Sequence, residues 1–245
     1  MNDYLRQQAG SIPAGRADMA VDAGLRSFML GVYNKMALGL VISAALAYAA
    51  ATIEPLRALI FGTPLMYVVM FGPLAILLVS MFTMKNPSPT GANLLYWSLV
   101  FLIGLGLGAT LMVYGARPGG MMDIAKAFFI TSAAFGALSL WGYTTKKDLS
   151  GWGTFLIMGM FGLILASIVN MFMQSSAFSF LISVVGVLLF SAITAWETQS
   201  LKYQYYQVAG DARSMAVATT YGALNLYITF INLFRMILSL ISSRE

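Results

Sequence analysis

The chain has no cysteine and no histidine. The first absence excludes disulfides, thiolate chemistry and iron–sulfur clusters, and the second removes imidazole metal sites and imidazole acid–base catalysis. Charge is scarce as well, with Asp, Glu, Lys and Arg making up 9% of the 245 residues. Proline stops at Pro118, so nothing in the second half removes a helical amide donor. What remains is 59% hydrophobic with a mean hydropathy of +0.80, values foreign to a soluble core and ordinary for a helical bundle in lipid.

A hydrocarbon layer of roughly 30 Å takes about 20 helical residues to cross. Seven apolar stretches reach that length: Ser27 to Thr52, Ile60 to Met84, Asn93 to Gly115, Met121 to Thr144, Thr154 to Met173, Ala177 to Gln199 and Thr219 to Ile241. The expected fold is therefore an all-α, seven-span integral membrane bundle. Residues 1–26 form a polar cytoplasmic tail and residues 27–245 one membrane domain, the short connections leaving no room for a second. The first apolar run is longer than a signal-peptide core, which argues against a cleaved leader.

Basic residues set the expected orientation. Arg6, Arg16, Arg26, Lys85, Lys146, Lys147, Lys202 and Arg213 collect on the amino-terminal side, against Arg57, Arg117 and Arg244 on the other. Eight against three places the amino terminus in the cytoplasm and the carboxyl terminus on the far face. The formal charge of +5 is then a topology signal. Nucleic-acid binding needs a clustered basic surface with aromatics, which is absent, so no nucleic-acid partner is expected.

Thr63-Pro64 and Gly72-Pro73 should kink the second span, and Lys85-Asn-Pro-Ser-Pro89 and Arg117-Pro-Gly-Gly120 read as turns. No internal repeat supports an inverted-repeat transporter. Gly104 and Gly108 form a GxxxG pair, suited to close packing inside one bundle or to a dimerisation face. The 17 methionines read as adaptable packing groups rather than a soft-metal path.

Ionisable groups within a bilayer are costly and are functional candidates by default. Asp123 and Lys126, three apart near the outer end of the fourth span, suit an interfacial ion pair. Lys35 can snorkel to the cytoplasmic interface. Glu197 follows an uncharged run from Ala177. It either pairs with Lys202 at the helix end or faces the bundle interior, where its charge would respond to pH. On the last span Asn225, Thr229 and Asn232 form a polar stripe. That stripe could line a hydrated cation path beside Glu197 or serve as interhelical hydrogen-bond glue. Ser167, Asn170 and Gln174 repeat the theme weakly, and Arg235 could plug or line the same path or reach the outer headgroups.

Enzyme classes fail by elimination. Zinc-dependent membrane hydrolases and rhomboid-type proteases need histidine. An intramembrane aspartyl protease needs a second membrane aspartate beside Asp123, and a retinal protein needs a lysine in its last helix, where only Arg235 stands. No enzyme activity and no cofactor are expected.

The loop Gly142-Tyr-Thr-Thr-Lys-Lys-Asp-Leu-Ser150 resembles the signature of the Bax inhibitor-1 family. Val32-Tyr-Asn-Lys-Met36 with Gly39-Leu40, Gly104-Leu-Gly-Leu-Gly108, Trp196-Glu-Thr-Gln199, and Leu226-Tyr227 with Ile231-Asn-Leu-Phe234 resemble its further motifs, in the expected order. The resemblance runs from about Gly31 to Leu240. It implies a seven-helix fold with the last helix central and a pH-sensitive calcium leak, cytoprotective in eukaryotes. Some bacterial relatives are described as modulators of a membrane-bound AAA protease.

The family's gate is a pair of aspartates, which maps here to Glu197 and Thr229, so one carboxylate is kept and the other is a neutral hydroxyl. A basic partner in the second span has no equivalent. The expectation is a bacterial inner-membrane protein providing a slow Ca2+ or other cation leak between spans six and seven, with transient Ca2+ at Glu197 and oxygen ligands from Asn225, Thr229 and Asn232. The alternative is a non-conducting regulator that binds a membrane protease or another membrane partner, docking through the polar tail.

Overall fold

A computed structural model describes residues 14–243, with side chains from residue 23 onward. The expected tail ahead of Ala14 lies outside the described residues. The helices are α1 (Ala14–Thr52), α2 (Glu54–Phe61), α3 (Leu65–Thr83), α4 (Pro89–Gly115), α5 (Gly120–Thr144), α6 (Gly153–Met173), α7 (Ser176–Val208) and α8 (Ala212–Ser242), with a 3-10 turn at Ser150–Trp152. Among the described residues seven of these segments are long and apolar enough to cross a membrane. All except α2 and the 3-10 turn supply one.

Local chemistry sets most boundaries. Ser88 caps α4 by accepting from the Gly91 amide at 3.0 Å, with Pro89 opening the first turn. Ser175 caps α7 by accepting from the Phe178 amide at 3.3 Å. Asp211 caps α8, accepting from the Arg213 and Ser214 amides at 3.2 and 3.1 Å. Gly119, at φ 77°, turns the chain into α5 in a conformation other residues resist.

Four boundaries differ from expectation. Helix α1 begins at Ala14, ahead of Ser27. The expected second span from Ile60 is split, because Gly62 and Pro64 end the short helix α2 before α3 starts at Leu65, and α3 then continues through Pro73. Helix α7 runs to Val208, nine residues beyond Gln199, and α8 begins at Ala212, seven before Thr219. In both, polar helical turns extend past the apolar window that marks a span.

Helix α8 is the centre. It packs against α1, α4, α5 and α7, and 56% of its apolar window is buried, compared with 6% for α3 and 11% for α6. Those two lean on α4 and α7 from outside. A Cβ at Gly104 would stand 2.9 Å from the Ser43 Cα, and one at Gly108 2.9 Å from the Ala50 Cβ. The GxxxG pair thus seats α4 on α1 within this chain.

Candidate ion site between the last two helices

The Trp196-Glu-Thr-Gln199 segment sits in α7, where successive side chains turn about 100° apart and so meet different neighbours. A Cβ on Gly153 would stand 2.8 Å from the Trp196 ring, which marks the close seat of α6 on α7. Glu197 turns to α8, with its carboxyl next to the Thr229 hydroxyl. Thr198 shares a hydrogen bond with the Tyr33 hydroxyl of α1 at 3.3 Å. Gln199 reaches the signature loop, donating to the Lys147 carbonyl at 2.8 Å and accepting from the Leu149 amide at 2.7 Å.

Glu197 Oε2 is buried without a hydrogen-bond partner. Glu197 also lines a cleft of about 60 Å³ with Ser200, Gln204, Gly222 and Asn225. Asn225 is exposed and Thr229 is buried, so the polar stripe of α8 leads from an open edge inward to the carboxylate. Lys202 does not pair with Glu197. Its ammonium donates to the Tyr143 carbonyl at 2.6 Å and lies 5.1 Å from that ring, closing the last turn of α5.

The other expected residues have partners or surroundings of their own. Asn232 donates to the Ile228 carbonyl of its own helix at 2.9 Å, and Arg235 is exposed one turn further along. Asn170 ties the α6–α7 turn, donating to Ser179 Oγ at 2.6 Å and accepting from the Ser175 amide at 3.3 Å. Lys126 pairs with the buried Asp123 at 3.1 Å. Among the described residues no three acidic side chains converge as a resident metal site would need.

A second polar cluster was not legible as a site. Lys35 does not snorkel outward but donates to Asn93 of α4 and, at 2.8 Å, to Thr220 of α8. Tyr96 donates to the Lys35 carbonyl at 2.7 Å, and Ser43 and Tyr227 share a 2.6 Å hydrogen bond. Tyr33, Lys35, Gln199 and Tyr227 all belong to the motif segments, which was the available signal. In the signature loop, a Cβ at Gly142 would stand 2.3 Å from the Ala195 carbonyl oxygen, so only glycine admits this approach of α5 to α7. Outside the membrane, Asp148 accepts from the Ser150 amide at 2.9 Å, which holds its carboxyl below the usual range.

The model of the family described as "Inhibitor of apoptosis-promoting Bax1" matches residues 25–245. An uncharacterized protein of Caulobacter vibrioides is 55% identical over 98% of this chain and 97% of its own length. Uncharacterized protein RP147 of Rickettsia prowazekii is 38% identical over 91% and 92%. The inner membrane protein YbhL of Escherichia coli K12 is 36% identical over 94% and 98%. With a family match across the whole membrane domain, and the motif residues holding its helices together, the chain is a multi-pass membrane protein of the Bax inhibitor-1 family.

Proposed function

We propose that the chain is a non-enzymatic, slow cation leak, with Ca2+ as its cargo, controlled by Glu197 in the cleft between α7 and α8. One observation carries the reading: a buried carboxylate oxygen without a partner, beside a threonine hydroxyl, at the inner end of a polar cleft. A buried acceptor left unsatisfied is costly, and a proton or a partly dehydrated cation would satisfy it. The oxygens of Glu197, Thr229 and Asn225 suit a hard cation held transiently. Protonation of Glu197 removes the attracting charge, which makes the leak respond to pH. Because Thr229 replaces a second carboxylate, no proton is shared between two acids, and the response is that of a single group.

The membrane is proposed to be a bacterial inner membrane, that of the Escherichia coli relative, inner membrane protein YbhL, with the amino-terminal side cytoplasmic. The test is calcium-dye flux into vesicles holding purified protein across a pH series. Wild type should conduct above protein-free vesicles and Glu197→Gln should lose most of that flux and its pH dependence. Equal flux from both proteins would sink the assignment to Glu197.

A second reading is a non-conducting regulator of a membrane-bound AAA protease. It is favoured by α1 starting at Ala14, ahead of the apolar stretch that the sequence starts at Ser27, which gives a helical extension for docking. Deleting residues 2–20 should abolish capture of the protease under that reading and leave flux intact under the first.

A further inference from the structure

Three helix ends and the short helix α2 meet in a groove at the end of the bundle opposite the Glu197 cleft's open edge. Thr52 is the last residue of α1, Gly115 the last of α4, Arg57 lies in α2 and Met121 is the second residue of α5. The apolar spans of α1 and α4 end at Thr52 and Gly115, which puts this groove at headgroup depth. Its volume is about 380 Å³, within the range of small-molecule sites. It opens where the tight α1–α4 seam of Gly104 and Gly108 gives way to small residues, Ala51, Gly115 and Ala116.

The walls are mostly apolar, from Leu111, Met112, Met121 and the Tyr48 ring, and Arg57 is the charged residue in the lining. Arg57 lines the groove and is paired with Glu54, which is 70% exposed at its side chain. Arg117 follows the lining residue Ala116 and folds over Tyr114 at 5.3 Å. A guanidinium is suited to phosphate, and an exposed carboxylate beside it is suited to a primary ammonium.

We propose that this groove is a binding site for one phospholipid with a phosphoethanolamine head. Its acyl chain lies along Leu111, Met112 and Met121, its phosphate meets Arg57, and its ammonium meets Glu54. The charge pattern selects this occupant. A head that parts the Arg57–Glu54 pair must satisfy both: a purely anionic head takes Arg57 and leaves Glu54 without a cation, and a choline head offers no N–H to donate to it.

Native mass spectrometry of the full chain, released from mild detergent with phosphatidylethanolamine, phosphatidylcholine or phosphatidylglycerol of identical acyl chains, tests this. Wild type should retain one phosphatidylethanolamine in preference to the other two. Arg57→Leu should weaken retention roughly tenfold, the loss of one charge-assisted phosphate contact. Glu54→Gln should erase the preference while keeping a bound lipid, and Ala51→Phe should fill the groove and abolish retention. Circular dichroism verifies that each variant is folded. If Arg57→Leu does not fold, Glu54→Gln and Ala51→Phe decide. A graded ladder of lipids alike in all variants would show an ordinary annulus and overturn the site. So would one retained lipid indifferent to Glu54→Gln and Ala51→Phe, or a dimer mass in place of a lipid adduct.

Discussion

The Glu197 carboxyl of α7 meets the Thr229 hydroxyl of α8, although each residue sits at a different distance from the turn that joins its helix to the other. Glu197 lies 11 residues before Val208, about 16 Å along the axis, and Thr229 lies 17 residues after Ala212, about 25 Å. Side chains lean toward the amino terminus of their own helix, so in an antiparallel pair these two lean toward each other. That lean, with the length of glutamate, closes much of the offset. Thr229→Val keeps the shape and removes the hydroxyl. It should cost about 1–3 kcal/mol of stability when Glu197 is ionised and less when it is protonated. Thermal unfolding across pH checks this, and a loss of equal size at every pH would contradict it. Thr229→Asp should instead give two coupled titration steps and a steeper pH dependence of flux.

Gln199 fastens the signature loop to α7 by two hydrogen bonds, one to an amide of the buried residue Leu149. Gln199→Leu leaves that amide and the Lys147 carbonyl without this partner, at a cost of about 1–3 kcal/mol. Hydrogen exchange at Leu149 should accelerate markedly while amides in the middle of α8 stay protected. Unchanged protection at Leu149 would mean the loop is held by other contacts.

Lys35 joins three helices through neutral acceptors on α4 and α8. Lys35→Met removes charge-assisted hydrogen bonds worth about 1.5–3 kcal/mol together with the cost of burying an ammonium. The expected net loss is smaller than the first figure alone, and Lys35→Arg, with its wider fork, should not restore it. Thermal unfolding of both variants measures this. A Met variant more stable than wild type would show that desolvation dominates.

Asp211 sits outside the membrane spans, and its carboxyl is held below the usual aspartate range by hydrogen bonds from the Ser214 side chain, the Ser214 amide and the Arg213 amide. Because the folded value is depressed, its contribution is complete above the unfolded value of about 4 and fades as pH falls through the folded one. Asp211→Ala should lower the melting temperature at neutral pH, and the gap to wild type should shrink as pH falls below the unfolded value. A gap independent of pH would assign the cap to geometry rather than charge.

Seven spans and the polar stripe of α8 were legible because hydropathy and helical periodicity are local properties of the chain. The lengths of α7 and α8 were not. Ser200, Gln204 and Ser214 carry polar side chains in turns that are helical without being apolar, so a window tuned to lipid ends too early. The same error made Glu197 look like a helix-end residue, within reach of Lys202. The longer helix places Lys202 against Tyr143 and leaves Glu197 to α8. Asn232 matched the stripe by spacing, yet its amide turns back to Ile228, a choice of rotamer that periodicity does not encode.

By itself the sequence determined the solvent, the helical class, the number of spans and the absence of any imidazole or thiol chemistry, because each follows from composition and local pattern. Only the tertiary structure decided which polar groups meet. A membrane helix presents residues around its whole circumference. Whether Glu197, Lys35 or Gln199 faces lipid, water or a neighbour depends on how helices distant in sequence are rotated and offset against one another.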